Sequence, residues 1–195
     1  MDITTLGNQR IDQKTFEQLL KHIKLKVTEE YSFPPEIITC GGATIATLGN
    51  FSASVGKPKS KKTFNVSAIV AAAISGKEIL GYKAHLPEDK KKILYIDTEQ
   101  SKYHCHKVLE RILKLADLPL NKESGLIDFF VLREYTPEQR RDIITLALRG
   151  DSRYGLVVID GVRDLLRDIN NPSEALDMIS ELMRWSSFYD LHIHT

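Results

Sequence analysis

Cysteine is scarce in this sequence, with only Cys40 and Cys105 among 195 residues, far apart and outside any Cys-x-x-Cys spacing. Such a pair argues against a disulfide framework and against a structural zinc site, and it favours a reduced compartment. The sequence also lacks an apolar run as long as a membrane span, and residues 1–5 are not a basic segment that leads into an apolar one. We therefore expect a cytoplasmic protein with no membrane partner.

An excess of charge of either sign is also missing. The 27 basic and 26 acidic residues leave a net charge of +1, so no overall field attracts nucleic acid or acidic lipid, and such a partner would need a local patch. Hydrophobic residues make up 42% of the 195 residues, which is enough to bury a core. Length and composition together predict one domain with a small appendage.

The amino-terminal appendage is predicted to be helical. Apolar residues recur at spacings of three and four from Asp12 to about Tyr31, with Lys and Glu on the other face. Pro34 and Pro35, after Phe33, end this pattern and favour an extended linker. We therefore expect an amino-terminal helical segment and linker over residues 1–35 and a main domain over residues 36–195.

In the main domain, apolar strand patterns alternate with helical ones. Strands are predicted at residues 43–54, with a bend at Gly49-Asn50, and at 93–96, 127–132, 156–159 and 191–195. Helices are predicted at residues 62–74, 108–115 and 136–150, and from residue 172 onward. Because the strands are apolar throughout, the pattern predicts an α/β fold with a mostly parallel sheet covered by helices on both faces.

A basic, glycine-containing stretch joins the first strand to the first helix of this domain. It consists of Gly56, Lys57, Pro58, Lys59, Ser60, Lys61, Lys62 and Thr63, and Phe64 follows. A glycine at that distance from Lys-Thr, between a strand and a helix, is the layout of a phosphate-binding loop. Lys62 would then reach the β- and γ-phosphates, and the Thr63 hydroxyl would bind Mg²⁺. The alternative interpretation is a basic surface turn that caps a helix.

One position of this stretch departs from the usual pattern G-x-x-x-x-G-K-[ST]. The pattern has a second glycine where this sequence has Lys61. A Cβ and a long cationic side chain therefore stand where the backbone normally comes closest to the phosphate.

Carboxylates follow two of the predicted strands. Asp97 and Glu99 come directly after one apolar strand and Asp160 after another. In a parallel sheet the carboxyl ends of the strands share one edge, so these side chains should meet the loop. Asp160 is placed to hold Mg²⁺, in the Walker B pattern, and Glu99 to polarise an attacking water. For Asp97 the alternatives are a cap and an indirect magnesium contact. The sequence thus predicts a site for ATP and Mg²⁺.

Two further pairs of residues leave alternatives open. His192 and His194 share one face of the final strand, where a sensor role and a packing role are both possible. Arg163 and Arg167 follow Asp160, where they could contact single-stranded DNA or form ion pairs with Asp164 and Asp168.

Four stretches in order resemble one known family. They are Gly-x-x-x-x-Lys-Lys-Thr at 56–63, Ile-Leu-Tyr-Ile-Asp-Thr-Glu-Gln-Ser at 93–101, the stretch 156–165, and Asn-Asn-Pro-Ser at 170–173. Over residues 36–195 the sequence is similar to RecA-like P-loop ATPases of the RepA/DnaB hexameric-helicase branch. It resembles in particular the AAA-family ATPases carried by mobilizable elements of Bacteroides-type bacteria.

The resemblance implies a RecA-like P-loop NTPase fold and a DNA-dependent ATPase, helicase or helicase-like, in replication or mobilisation. It implies that Lys62 and Thr63 bind ATP and Mg²⁺, that Glu99 is the catalytic base, and that Asp160 supports magnesium. The family continues past the position of Thr195 into a sensor residue, a DNA-contacting loop and an arginine finger, so the core is expected to be truncated at its carboxyl end.

For the complete protein the resemblance implies a hexameric ring of identical subunits, with single-stranded DNA as a possible partner. Two other functions compete with this interpretation. Lys61 favours a non-hydrolysing nucleotide-binding module for regulation or assembly. A metabolic P-loop kinase fits less well, because the Asp-Thr-Glu triplet at 97–99 and the Asn-Asn-Pro-Ser connection suit RecA-like proteins better.

Overall fold

The computed structural model describes residues 3–6, 9–57 and 61–195, so the predicted loop residues Pro58, Lys59 and Ser60 lie outside the described residues. The chain forms two compact units, residues 1–33 and residues 34–195. The sequence placed the boundary two residues later. Within the described part of the chain, no helix combines the length and the apolar character needed to cross a membrane.

The first unit contains a β-hairpin that the sequence did not predict, followed by a helix. Strands β1 (Ile3–Leu6) and β2 (Gln9–Asp12) pair in antiparallel register, and helix α1 (Gln13–Ile23) follows directly. Asp12 caps α1, since its carboxylate oxygens accept hydrogen bonds from the backbone N–H and the hydroxyl of Thr15, at 2.9 and 2.8 Å. The unit is therefore not purely helical, and that expectation was wrong.

Helix α1 also ends earlier than predicted, at Ile23 instead of about Tyr31. In a longer helix the backbone N–H of Lys26 would donate to the carbonyl of His22. Here that N–H donates to the hydroxyl of Tyr31, 3.2 Å away, and a turn forms at Lys26–Glu29. The backbone is already extended at Lys24, so the helix ends well before the prolines, and Val27 lies fully exposed outside it.

The second unit contains eight strands and four helices in its described part. In chain order they are β3 (Glu36–Cys40), β4 (Ala43–Thr47), β5 (Phe51–Ser52), α2 (Lys62–Ser75), β6 (Tyr82–Ala84), β7 (Lys92–Asp97), α3 (Lys102–Leu115), β8 (Ile127–Val131), α4 (Pro137–Gly150), β9 (Tyr154–Asp160), α5 (Pro172–Phe188) and β10 (His192–His194).

Five strands form the central sheet in the order β5-β10-β9-β7-β8, and every pair is parallel. Side chains alternate across it. Leu156 and Val158 of β9 pack in a core with helices α2 and α3, whereas Val157 and Ile159 pack in a second core with α4 and α5. The predicted α/β fold, with a parallel sheet covered on both faces, is therefore confirmed.

The predicted strand at residues 43–54 is instead two strands in two sheets. β4 pairs with β3, which also pairs with β6, in a three-stranded antiparallel sheet, while β5 forms the edge of the central sheet. Between them Gly49 adopts a positive φ of 74°, and the side-chain amide of Asn50 donates to the Thr47 hydroxyl at 2.8 Å. The bend therefore redirects the chain into a different sheet.

Helices α2 and α4 begin and end close to their predicted positions, whereas α3 begins earlier than predicted, at Lys102. The amide N–H of Gly76 donates to the Ala72 carbonyl and ends α2 in the left-handed conformation that glycine favours. Thr136 and Gln139 form a reciprocal capping box at the start of α4, with Pro137 in its first turn. These local signals fix the helices against the sheet, and the loops at its carboxyl edge build the site.

Candidate functional site

A cavity of about 670 Å³ opens at the carboxyl ends of the parallel strands. Its wall brings together five of the predicted site residues: Gly56, Lys62, Thr63, Glu99 and Asp160. Ser54, Arg163 and Thr195 complete the polar part of the wall, beside the backbone and side chains of β9. The position agrees with the rule that open parallel sheets bind ligands beyond the carboxyl ends of their strands.

Thr63 and Asp160 meet at the centre of this wall. The Thr63 hydroxyl donates a hydrogen bond to Oδ2 of Asp160 over 3.1 Å, although the two residues are 97 positions apart in the sequence. Thr63 lies in the first turn of α2, and Asp160 is the last residue of β9. The loop and the strand-ending acid therefore belong to one site.

Lys61 occupies the pattern's second glycine position and also adopts a glycine-like conformation. Its φ of 60° and ψ of 30° lie in the left-handed region, directly before the first residue of α2. A lysine can adopt these angles at a cost of about 1 kcal/mol, whereas a glycine adopts them freely. The lysine therefore holds this strain at the residue that leads into α2.

Three described residues of the predicted binding loop lie outside the cavity wall. Lys57 and Lys61 are exposed, and neither lines the cavity. Phe64 is half exposed, and the Arg111 guanidinium lies over its ring at 5.8 Å from the centroid. Their assignment to cofactor binding stays a prediction.

Asp97 is buried and turns away from the cavity. Its Oδ1 accepts hydrogen bonds from the backbone N–H groups of Glu99 and Gln100 at 3.0 and 2.7 Å, and its Oδ2 accepts one from the Gln100 side chain. The expectation that Asp97 meets the loop together with Glu99 and Asp160 was therefore wrong, because Asp97 does not line the cavity. Asp97 instead caps the turn that presents Glu99, which was the alternative interpretation.

Glu99 faces the cavity from the end of β7, and its protonation is perturbed. Desolvation of the carboxyl, followed by the negative charges of Asp164, Asp160 and Asp97, raises the pKa of Glu99, while Lys62 opposes this. Burial likewise raises the pKa of Asp160, against the hydrogen bonds from Tyr95 and Thr63. A carboxylate with a raised pKa is a better proton acceptor, so Glu99 has the properties of a general base.

The donor atoms at the centre of the site fit Mg²⁺. The hydroxyl of Thr63 and the carboxylate of Asp160 are oxygen ligands, and magnesium commonly uses one or two protein oxygens together with water and phosphate. Among the residues that the structure describes, no three His, Cys, Asp or Glu side chains form a group that could hold a metal ion. A cation here would therefore need oxygens from a bound nucleotide.

The sequence pattern of a family described as AAA domain matches residues 40–195, which is most of the chain. The chain belongs to the AAA domain family. This membership supports a nucleotide-binding ATPase domain built on the P-loop. No curated protein sequence matches the chain significantly. A solved structure similar to this AAA domain is that of the RadB recombinase, with 20% sequence identity and a TM-score of 0.44. The match covers 76% of this chain and 60% of the RadB chain, so the chain spans 60% of RadB's length.

A brace joins the two loops of the AAA domain that carry Glu99 and Asp160. The Thr98 hydroxyl donates to Oδ2 of Asp164 at 2.7 Å and lies 3.0 Å from the carbonyl oxygen of Gly161. Gly161 has a φ of 104°, and a Cβ added there would lie 2.0 Å from the Thr98 hydroxyl oxygen. Only glycine fits this contact, which fixes the backbone before Glu99 relative to the loop after Asp160.

Arg140 of α4 connects the three loops that follow β7, β8 and β9. Its guanidinium donates to the carbonyl oxygens of Leu132 at 2.9 Å, Arg133 at 3.1 Å and Asp164 at 2.6 Å, with Thr98 at 3.5 Å. These carbonyls lie in the loops after β8, β9 and β7. One side chain of α4 thus holds together the loops at the carboxyl edge of the sheet.

His192 and His194 belong to a hydrogen-bonded chain that ends at the cavity wall. The Thr47 carbonyl lies 2.9 Å from Nδ1 of His192, and the Ser52 hydroxyl lies 2.8 Å from both His192 Nε2 and His194 Nδ1. The Ser54 hydroxyl lies 2.9 Å from His194 Nε2. Neither histidine lines the cavity, so the packing role describes their position.

Both histidines of this hydrogen-bonded chain are held neutral. Burial lowers the pKa of His192, and burial together with His192 lowers the pKa of His194 to about 4. The Thr47 carbonyl can only accept a hydrogen bond, so Nδ1 of His192 carries the proton. The Ser52 hydroxyl then donates to Nε2 of His192 and accepts from Nδ1–H of His194, and the Ser54 hydroxyl donates to Nε2 of His194. Every member of the chain is satisfied with both imidazoles in the Nδ1–H form.

The two arginines after Asp160 have different surroundings. Arg167 forms an ion pair with Glu138 of α4, and its backbone N–H donates to Glu174 at 2.8 Å. The expected partners were wrong because Asp164 accepts from Thr98 and Asp168 accepts from the Asn170 backbone. Arg163 is exposed at the cavity wall, and in the described residues no ion pair to it is found.

Sequence reasoning missed Tyr95, Thr98, Arg140 and Gly161. One of them left a signal, since Tyr95 is a lone phenol in the strand Ile93-Leu94-Tyr95-Ile96, and a buried tyrosine hydroxyl needs a partner. The contacts of Thr98 and Arg140 join loops far apart in sequence and leave no local pattern.

Proposed function

We propose that this AAA domain binds ATP with Mg²⁺ in the 670 Å³ cavity and hydrolyses the γ-phosphate bond. The observation that carries the proposal is the 3.1 Å hydrogen bond from Thr63 to Asp160. It places the hydroxyl at the start of α2 and the acid at the end of β9 at one point, as a magnesium–triphosphate complex requires. Family membership supports the same activity.

Lys62 and Thr63 would hold the phosphates in this scheme. The Lys62 ammonium acts electrostatically on both Glu99 and Asp160, and its charge would be neutralised by the phosphate oxygens once they enter. The Thr63 hydroxyl keeps its hydrogen bond to Asp160 while its lone pairs face the cation site. When bound, Mg²⁺ would neutralise charge that develops on the phosphates.

Glu99 would orient the attacking water and take its proton. Asp97 fixes the turn from which Glu99 projects, and the Thr98 contacts fix that turn to the loop after β9. The backbone that carries Glu99 therefore keeps one position relative to the loop after β9 before any nucleotide binds. Such preorganisation is the main contribution a protein makes to phosphoryl transfer.

We further propose that the complete protein is a ring-forming ATPase stimulated by single-stranded DNA, helicase or helicase-like, in the replication or mobilisation of a genetic element. The support is the resemblance of the four motif stretches to the hexameric-helicase branch. Arg163 is exposed at the cavity wall and has no ion pair among the described residues, so its guanidinium is available to contact a DNA phosphate.

ATP turnover with and without single-stranded DNA tests this proposal. We expect slow turnover by the chain, stimulation by DNA, and turnover lower by about 100- to 10,000-fold in Glu99→Gln in either condition. Nucleotide binding with no turnover under any condition would instead support the non-hydrolysing module. Light scattering with and without ATP measures whether the chain assembles into rings.

A further inference from the structure

We propose that Tyr95 is a positioning residue of the magnesium–nucleotide site, whose hydroxyl fixes the Asp160 carboxylate from inside the core. This inference rests on the proposed function, because it assigns a role at the same site. It adds a residue that neither the loop pattern nor the strand-ending acid contains.

The geometry that carries the inference is a shared acceptor. Oδ2 of Asp160 receives one hydrogen bond from the Tyr95 hydroxyl and one from the Thr63 hydroxyl, each over 3.1 Å. Among the described residues, no hydrogen bond to Oδ1 is found. Two donors therefore hold one oxygen of the carboxylate and leave the other for a cation or its water.

The Tyr95 ring is itself fixed in place. Tyr95 is fully buried in β7, and its ring stacks on Phe129 of β8, with centroids 4.4 Å apart and planes at 10°. Tyr95 pairs with Val158 in the neighbouring strand β9, two residues before Asp160. The hydroxyl thus approaches the carboxylate from a rigid sheet and not from a loop.

Packing alone does not explain the hydroxyl. A phenylalanine would keep the stack on Phe129 and avoid burying a polar atom, which is favourable only with a partner. In the described structure that partner is Asp160 Oδ2. The hydroxyl therefore serves the orientation of Asp160, in the way that outer groups orient the ligands of other metal sites.

Calorimetric titration of the full chain with ATP, with magnesium chloride or with EDTA, tests the role of the hydroxyl. The variant is Tyr95→Phe, which removes only the hydroxyl oxygen. The matched control is Tyr154→Phe, because Tyr154 is also buried in the central sheet and its hydroxyl also donates to a carboxylate, that of Asp128. Tyr154 begins β9, at the opposite edge of the sheet from the cavity.

We expect Tyr95→Phe to weaken binding of ATP in magnesium by about 10- to 100-fold and to leave binding in EDTA unchanged. Tyr154→Phe should leave both affinities at the wild-type value. Equal loss in magnesium and in EDTA, or no loss in either, would overturn the role. If the wild-type chain binds no ATP in either buffer, the proposed function itself fails, and this result is distinct from both of the others.

Discussion

The hydroxyl of Ser54, in the wall of the cavity, lies 2.9 Å from Nε2 of His194, in the last strand of the chain. This contact links the start of the phosphate loop to a buried chain of two histidines and two serines. The direction of the hydrogen bonds along this chain is fixed at its other end by the Thr47 carbonyl, which can only accept. The arrangement makes the protonation of His192 and His194 measurable and specific.

We predict that His192 and His194 both carry their proton on Nδ1 at pH 7, and that His194 keeps this neutral form down to pH 5. Nitrogen-resolved NMR of the imidazoles distinguishes the two tautomers and the charged form. An Nε2–H tautomer at either residue would contradict the hydrogen-bonded chain.

The same histidines should make stability depend on pH. The folded-state pKa of His194 is about 4, below its ordinary value of 6.5, so the unfolded state binds the proton first. Stability is therefore unaffected above pH 6.5 and falls as the pH drops from 6.5 toward 4. The loss between pH 7 and pH 5 should be about 2 kcal/mol for His194. Urea unfolding should show this loss in His104→Gln but not in His194→Gln.

Replacement of Lys61 tests the left-handed conformation before α2. We predict that Lys61→Gly is more stable than Lys61→Ala by about 1 kcal/mol, because both remove the side chain but only glycine adopts a φ of 60° freely. In an ordinary helical position alanine would be the more stable of the two. Chemical denaturation gives the sign directly. Lys61→Gly should also tighten ATP binding or speed turnover.

The contact between Gly161 and Thr98 predicts a coupled pair of substitutions. Gly161→Ala should lower the free energy of unfolding by about 2 kcal/mol or more, because its Cβ would lie 2.0 Å from the Thr98 hydroxyl oxygen. The double variant Gly161→Ala, Thr98→Ala should lose at least about 1 kcal/mol less than the sum of the single variants. Additive losses would show that the two residues do not touch.

Substitutions of Glu99 and of Asp160 should have different effects on ATP binding and turnover. Glu99→Gln removes a proton acceptor at nearly constant shape, so we expect unchanged ATP affinity and a turnover rate lower by about 100- to 10,000-fold. Asp160→Asn should weaken magnesium-dependent binding as well. Normal turnover in Glu99→Gln would place the base elsewhere. Asp97 is then a poor replacement, because its carboxylate already caps the turn at Glu99 and Gln100.

Patterns that are local in sequence predicted much of the fold and the site. The strands before Asp97 and Asp160 are continuous apolar runs, and α4 begins with a complete capping box, so the parallel sheet and its carboxyl edge followed. The edge rule then placed Thr63 beside Asp160, as the structure shows.

Contacts between distant residues account for what the sequence did not predict. Arg140 binds carbonyls of three loops, and Tyr95 on β7 reaches Asp160 on the neighbouring strand β9. Neither contact has a fixed spacing in the sequence. After α1 ends, the backbone N–H of Lys26 donates to the hydroxyl of Tyr31, a contact that the helical pattern does not reveal. The turn of Asp97 away from the cavity depended on backbone N–H groups that only the folded loop presents.

The most direct test of a nucleotide site at this loop is calorimetric titration of the wild-type chain and of Lys62→Ala with ATP in magnesium. The ammonium of Lys62 lies in the cavity wall, and a charge-assisted contact to phosphate is worth about 1.5–3 kcal/mol. We predict binding by the wild type, binding weaker by about 10- to 100-fold in Lys62→Ala, and wild-type affinity in the control Lys114→Ala, an exposed residue of α3. Equal affinity in the wild type and in Lys62→Ala would contradict the assignment of this loop.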